Sequence, residues 1–251
     1  MEYRFLGIIF LLTITQTLSA QTVGNLAQKA GDEIDSKEYE AAITDCNLAI
    51  NADSTYARAY YYRGLAKIYL ANYASAMADL DRAIILNPGD ANAWCTRGLA
   101  KSYLQNYAGA IADLDKAIDL SPTFSTAWYS RGLAKDFLKH YAAAIIDYDR
   151  AIALDTDDAS TYYSRGNAKD NMGNYAAAIP DFDKAIKINP QYSQAYENRG
   201  YAYSKLGKTK ENYRKAIADF DRVIQLGGSE YPFAVTRRAD AVAAMDKAKG
   251  P

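Results

Sequence analysis

Apolar residues return along this chain at helical intervals. Between residues 91 and 124, Trp94, Gly98 and Leu99 open one amphipathic stretch, and Ala110, Leu114, Ala117 and Ile118 fall at i, i+4, i+7 and i+8 of a second, a spacing that puts side chains on one face of a helix. A short turn separates the two, at Asn72-Tyr73, Asn106-Tyr107, His140-Tyr141 and Asn174-Tyr175 in successive stretches. The asparagine is expected to take the left-handed conformation that ends the first helix. The second helix is expected to stop at Asn87-Pro88, Ser121-Pro122 and Asn189-Pro190, because a residue before proline resists helical geometry. The pattern therefore predicts helical hairpins.

The hairpins repeat. Tyr62-Arg63-Gly64-Leu65-Ala66-Lys67 returns 34 residues on as Thr96-Arg97-Gly98-Leu99-Ala100-Lys101, then as Ser130-Arg131-Gly132-Leu133-Ala134-Lys135. It continues as Ser164-Arg165-Gly166-Asn167-Ala168-Lys169 and Asn198-Arg199-Gly200-Tyr201-Ala202-Tyr203. Constant spacing over five occurrences marks a repeat architecture.

With small residues at unit positions 8, 20 and 27, the unit resembles the tetratricopeptide repeat. The matching residues are Gly64, Ala76, Ala83 and Pro88; then Trp94, Gly98, Ala110, Ala117 and Pro122; then Trp128, Gly132, Ala144 and Ala151. Gly166, Ala178, Ala185 and Pro190 follow, and then Gly200 and Ala216. A more divergent unit precedes them, with Ala30, Tyr39, Ala42, Ala49 and Ile50 in phase from Val23. The resemblance spans residues 23 to 230 and implies an all-α fold, a right-handed solenoid of stacked antiparallel helical hairpins. The expected hairpins are residues 23–56, 57–90, 91–124, 125–158, 159–192 and 193–230. Residues 231–251 are expected to form a capping helix and tail, with Phe233, Val235, Ala239 and Val242 facing one side and Arg237, Arg238, Asp240 and Lys247 another.

Departures from the family are informative. Position 7, usually leucine, is Arg63, Arg97, Arg131, Arg165 and Arg199, while the second helices carry Asp79 and Asp81, Asp113 and Asp115, Asp147 and Asp149, Asp181 and Asp183, Asp219 and Asp221. Two readings of this ladder stand: stapling of repeat to repeat, because a partly buried arginine needs a carboxylate, or a charged binding stripe. Pro180 falls about one turn into its helix, where it removes a hydrogen bond. Four extra residues lie within Gly207–Tyr213, close to one helical turn, so the packing phase is expected to survive.

Composition narrows the functional classes. Twenty-nine basic against 30 acidic residues give a net charge of -1, which offers no general attraction to nucleic acid or anionic lipid. The first twenty residues have the layout of an export signal: Arg4, an apolar run from Phe5 to Ile14, and Leu18-Ser19-Ala20 before Gln21. Cleavage after Ala20 is expected, leaving no membrane span and a location in the periplasm, at the outer membrane or outside the cell. Two cysteines, Cys46 and Cys95, are too few for a disulfide framework. They are expected in helices three steps apart, beyond bridging distance.

Chemistry for catalysis is not assembled in the sequence. His140 is the sole histidine and takes the turn position that asparagine holds elsewhere. The Asp-x-Asp pairs stand about 200° apart on a helix and cannot share an ion. No enzyme activity, cofactor or metal is expected. By resemblance, some family members clamp a chaperone's terminal carboxylate with Lys at position 5 and Asn at positions 9 and 6. Position 5 here is Tyr61, Cys95, Tyr129, Tyr163 and Glu197, so that clamp is missing.

The family places positions 2, 5, 6, 9, 12 and 13 on the concave face. The expected groove therefore comprises Arg58, Tyr61, Tyr62, Leu65 and Tyr69; Cys95, Leu99 and Tyr103; and Tyr129, Leu133, Asp136 and Phe137. Tyr163, Asn167 and Asn171 continue it, followed by Glu197, Asn198 and Tyr201. It begins aromatic and turns polar and mildly acidic. Either these rings anchor a ligand, or several of them pack on neighbouring repeats. The expected function is a non-catalytic scaffold for an unidentified protein or peptide, the alternative being a self-assembling envelope component that uses its ends or convex face.

Overall fold

A computed structural model describes residues 21–207, 209–227 and 232–248, and every regular element among them is helical. Helix α1 covers residues 21–35, followed by α2 (Tyr39–Ala52), α3 (Ala57–Tyr69), α4 (Tyr73–Leu86), α5 (Ala91–Tyr103) and α6 (Tyr107–Leu120). These form a first unit ending at Pro122; the second begins at Thr123. It holds α7 (Ser125–Phe137), α8 (Tyr141–Leu154), α9 (Ala159–Asn171), α10 (Tyr175–Ile188), α11 (Ser193–Leu206), α12 (Lys210–Gly227) and α13 (Pro232–Lys247). Odd and even helices pair as antiparallel hairpins, and within each unit each hairpin packs on the next. The segment taken as an export signal lies outside the described residues.

The turn between paired helices corrects one expectation. Asn72 and Asn106 have φ of -91° and -84°; the left-handed residue is the one before, Ala71, Gln105, Lys139 or Gly173, with φ of 58°, 61°, 61° and 77°. The N–H of Asn106 bonds to the Lys101 carbonyl at 2.8 Å and that of Gln105 to the Ser102 carbonyl at 2.9 Å, the double closure that requires a left-handed residue between helix and exit. Asparagine serves as the cap of the following helix instead, and the Asn106 side chain accepts the Gly109 N–H. The second helices end as expected, with Asn87, Ser121 and Asn189 as C-caps.

Within each unit the core lies between the two helices of each hairpin and is closed by the first helix of the next. Ala76 and Leu80 of α4 meet Ala100 of α5, with Tyr61 and Ile68 packed against them. Close approach depends on the position-8 glycine: a methyl group on Gly64, Gly98 or Gly132 would lie 2.9, 2.8 or 2.7 Å from Leu80, Leu114 or Tyr148. In the later hairpins Phe182 and Phe220 take the same seat, against Gly166 and Gly200.

The irregularities are absorbed. α10 runs unbroken through the exposed Pro180. The four added residues lengthen α12 to 18 residues, and Arg199 still reaches Asp219, 20 positions away, where its counterparts reach 16.

Helix α13 departs from expectation. Phe233 and Val235 are 72% and 52% exposed, whereas Ala234 and Ala241 are buried and Arg237 and Arg238 turn inward to Glu197 and Asp221. The seat offered by α11 and α12 takes alanines and arginines, as it does in the body of the stack, so the apolar row points away from it.

Two outcomes test this packing. Replacing Gln105 by glycine should raise stability by about 1 kcal/mol, since a side chain in the left-handed region costs about that much, read from the urea midpoint. Gly132→Ala should lower stability by about 1–3 kcal/mol, because the fully buried Tyr148 ring cannot move aside.

Candidate functional site

The face presented by the first helices is held by the arginine ladder. Arg97 donates from Nε and Nη2 to the two carboxylate oxygens of Asp113 in its own hairpin, at 2.8 and 2.7 Å. Its Nη1 donates to Asp81 of the preceding hairpin at 2.7 Å. Arg165 and Arg199 repeat the arrangement with Asp181 and Asp149 and with Asp219 and Asp183, and Arg63 does so with Asp79 and, in place of the outer carboxylate, Asn47. Arg131 holds Asp147. The inner aspartates are buried, so the ladder is a staple within the stack and not an open stripe.

Two parts of this staple went unread in the sequence. Lys67, Lys101, Lys135 and Lys169 each reach the same inner aspartate at 2.7 Å, balancing the second carboxylate. Each guanidinium also lies over the ring three residues earlier, at 4.8 Å for Trp94 and 4.6 Å for Trp128. The recurrence of an aromatic at position 4 and a lysine at position 11 was the available signal.

The expected groove residues divide into three groups. Tyr61, Tyr62 and Leu65 pack inward: the Tyr62 ring lies against Gly31 of α1, and burial pushes the Tyr61 hydroxyl up to about 12. Tyr129 and Leu133 pack against the core around Tyr148. Cys95 is 2% exposed and leaves the groove set, because position 5 of that hairpin faces the core. Burial pushes its thiol, like that of Cys46, up to about 12, which keeps both unreactive. Leu99 is half-buried. Open to solvent are Arg58, Asn171 and the position-13 rings Tyr69, Tyr103 and Phe137, at 56%, 58% and 64%. Tyr69 and Tyr103 stack on Tyr39 and Tyr73 with centroids 4.9 and 4.4 Å apart, a pairing the sequence analysis missed.

The second unit gathers six of the expected residues around one cleft of about 360 Å³: Leu133, Asp136, Phe137, Tyr163, Asn167 and Asn171. Asn198 donates to the Asn167 side-chain carbonyl at 2.7 Å and to the Tyr163 hydroxyl at 3.1 Å, fixing both. Asp136 takes a bond from the Tyr148 hydroxyl at 3.4 Å, yet burial holds its carboxyl above the usual range. Asp170 is likewise raised by burial, against the pull of Arg237 and Lys205. The face is therefore apolar on one wall, amide-lined on the other and acidic at its floor. Glu197 and Tyr201 are not free, since Arg237 of α13 bonds the first at 2.8 Å and lies over the second. In the first unit, Arg58 stands with Tyr61, Tyr62, Asp90 and Asn92 around a more polar hollow of about 370 Å³.

His140 is an exposed N-cap residue. Among the described residues, no group of three or more His, Cys, Asp or Glu is placed to hold a metal ion, and no helix is long and apolar enough to cross a membrane.

Comparison with known proteins agrees with this geometry. Models of the tetratricopeptide repeat match residues 71–128, 125–158, 159–192 and 182–218. No curated protein matches. Among solved structures, YrrB, described as a tetratricopeptide repeat protein with an unusual peptide-binding site, is similar at a TM-score of 0.63 and 22% identity, over 77% of this chain and 97% of that one. PilF of Pseudomonas aeruginosa is similar at a TM-score of 0.76 and 14% identity, over 90% and 98%. MamA is similar at 0.59 and 26%, over 70% and 96%. From residue 71 to residue 218, this chain is built of tetratricopeptide repeats.

Proposed function

We propose that the chain is a non-catalytic scaffold that holds a peptide or protein segment against its first helices, with the principal seat in the second-unit cleft. The observation that carries this reading is the meeting, in one open cleft, of a solvent-exposed Phe137 with fixed amides and a half-buried Asp136. An exposed aromatic beside placed polar groups is the usual composition of a recognition pocket. The similarity to YrrB, itself described as peptide-binding, supports the same reading. The ligand expected is an extended or helical segment with an apolar side chain for Phe137 and a basic or amide side chain for Asp136 and the asparagines. The first twenty residues support export to the periplasm, the outer membrane or the exterior.

The alternative, a structural component of an envelope complex, draws on Ile85 and Ile146, which are 70% and 67% exposed on second helices. Sedimentation of the mature chain separates the two, with a monomer expected here.

Affinity capture with the mature chain supplies the ligand, after which Phe137→Ala should weaken it by about 1–3 kcal/mol with an unchanged helical circular-dichroism spectrum. Tyr61→Ala and Tyr129→Ala should act on stability instead, since both rings pack inward. Unaltered affinity in Phe137→Ala would move the site elsewhere.

Asp136→Asn should separate binding from folding. A carboxyl raised above its unfolded value subtracts stability at neutral pH, and this loss is relieved as pH falls through the folded value. The amide should therefore raise the urea midpoint at pH 7 while weakening a ligand that carries a cation. Mass spectrometry of the exported protein should find Gln21 at its N-terminus.

A further inference from the structure

Helix α13 keeps the register of a first helix. Ala234, Arg238 and Ala241 lie in the places of Ala195, Arg199 and Ala202; the alanines are buried, and Arg238 bonds Asp221 of the preceding hairpin, through Nε where Arg199 uses Nη1 to reach Asp183. It is the opening half of a seventh hairpin. In the complete hairpins, position 7 holds a second, inner carboxylate and position 8 meets a large side chain from the partner helix. Here the corresponding face is uncovered: Val235 and Ala239 are exposed, Val242 is half-buried, and the Arg238 side chain is 42% exposed where Arg63, Arg97, Arg131, Arg165 and Arg199 are 15–20%. Among the described residues, only Nε of Arg238 is engaged, with Asp221, which leaves both terminal amino groups available.

We propose that this face receives an amphipathic helix from a partner protein, seated where the second helix of a seventh hairpin would lie. The repeat itself states the chemistry required. Ala76, Asp79, Leu80 and Ala83, like Ala144, Asp147, Tyr148 and Ala151, present a small residue, a carboxylate three later, a large apolar residue next and a small residue three beyond. The carboxylate meets the free end of Arg238, and the apolar residue covers Ala239 between Val235 and Val242. The alanine at position 8 is one methyl larger than the glycine of the complete hairpins, where an added methyl would stand 2.7–3.0 Å from the seated side chain, so the incoming helix sits farther off than a second helix does in the body of the stack. Charge decides against α13 of a second copy as the occupant, because two α13 faces brought together would set their Arg238 groups against each other, and the Asp79 and Leu80 that would match the seat are buried within this chain's own stack.

The test uses the full mature chain and an acetylated, fluorescent peptide of residues 72–88, which carries Asp79 and Leu80. Anisotropy should show saturable binding that weakens about tenfold or more in Arg238→Ala, the result expected when one partner of a desolvated charge pair is removed. The same loss should follow Asp79→Asn in the peptide, with Phe137→Ala in the protein leaving affinity unchanged. Absence of binding, or binding indifferent to Arg238 and Asp79, would overturn the assignment. A dimer of the chain alone that dissociates in Arg238→Ala would overturn it too, by giving the face to a second copy. Because Phe137 and Arg238 lie on different surfaces, failure here leaves the cleft reading standing, and the reverse also holds.

Discussion

The arginine at position 7 is a tie between hairpins at Arg63, Arg97, Arg165 and Arg199. For Arg97, Arg165 and Arg199 the two carboxylate partners come from different hairpins, so the group cannot be satisfied by a hairpin in isolation. Stripped of water and left with one partner, such a guanidinium would cost several kcal/mol, whereas the paired arrangement roughly offsets its own desolvation. What the ladder supplies is specificity more than net stability. A leucine at the same place would pack at several offsets; an arginine with two fixed carboxylates accepts one. The ring at position 4 and the lysine at position 11 reinforce that selection, by holding the guanidinium in place and by neutralising the second charge.

Survival of the tie explains how the sixth hairpin tolerates its longer second helix. Four residues add a little more than one turn, which returns Asp219 to the same side of α12 at nearly the same angle. The glycine seat and the tie move together, because Asp219 and Phe220 are adjacent, as are Asp79 and Leu80.

Helix boundaries, the hairpin period and the small-residue seats were legible because they rest on local rules and on repetition. The ends of helices were less so. Asparagine has the strongest left-handed preference of the ordinary residues near these turns, yet the backbone assigned that conformation to Ala71, Gln105 and Lys139 and gave asparagine the cap, since the turn needs both roles in adjacent places. The face of α13 was misread for a different reason: a row of apolar residues suggests an inward face only when the seat is apolar, and this seat is made for arginine. In the groove, unit position did not tell how deep each residue lies. Depth depends on the neighbouring hairpin, as with Tyr62 filling the space over Gly31 and Cys95 closing over at a place where its counterparts carry tyrosine.

The residue seated on the position-8 glycine grows along the chain, from Leu80 and Leu114 to Tyr148, Phe182 and Phe220. Tyr148 is the one whose size also brings a hydroxyl across the hairpin to Asp136 on the opposite surface. An interior substitution at that seat therefore reaches the half-buried Asp136, adding or removing a hydrogen bond to its carboxylate without any exposed residue changing.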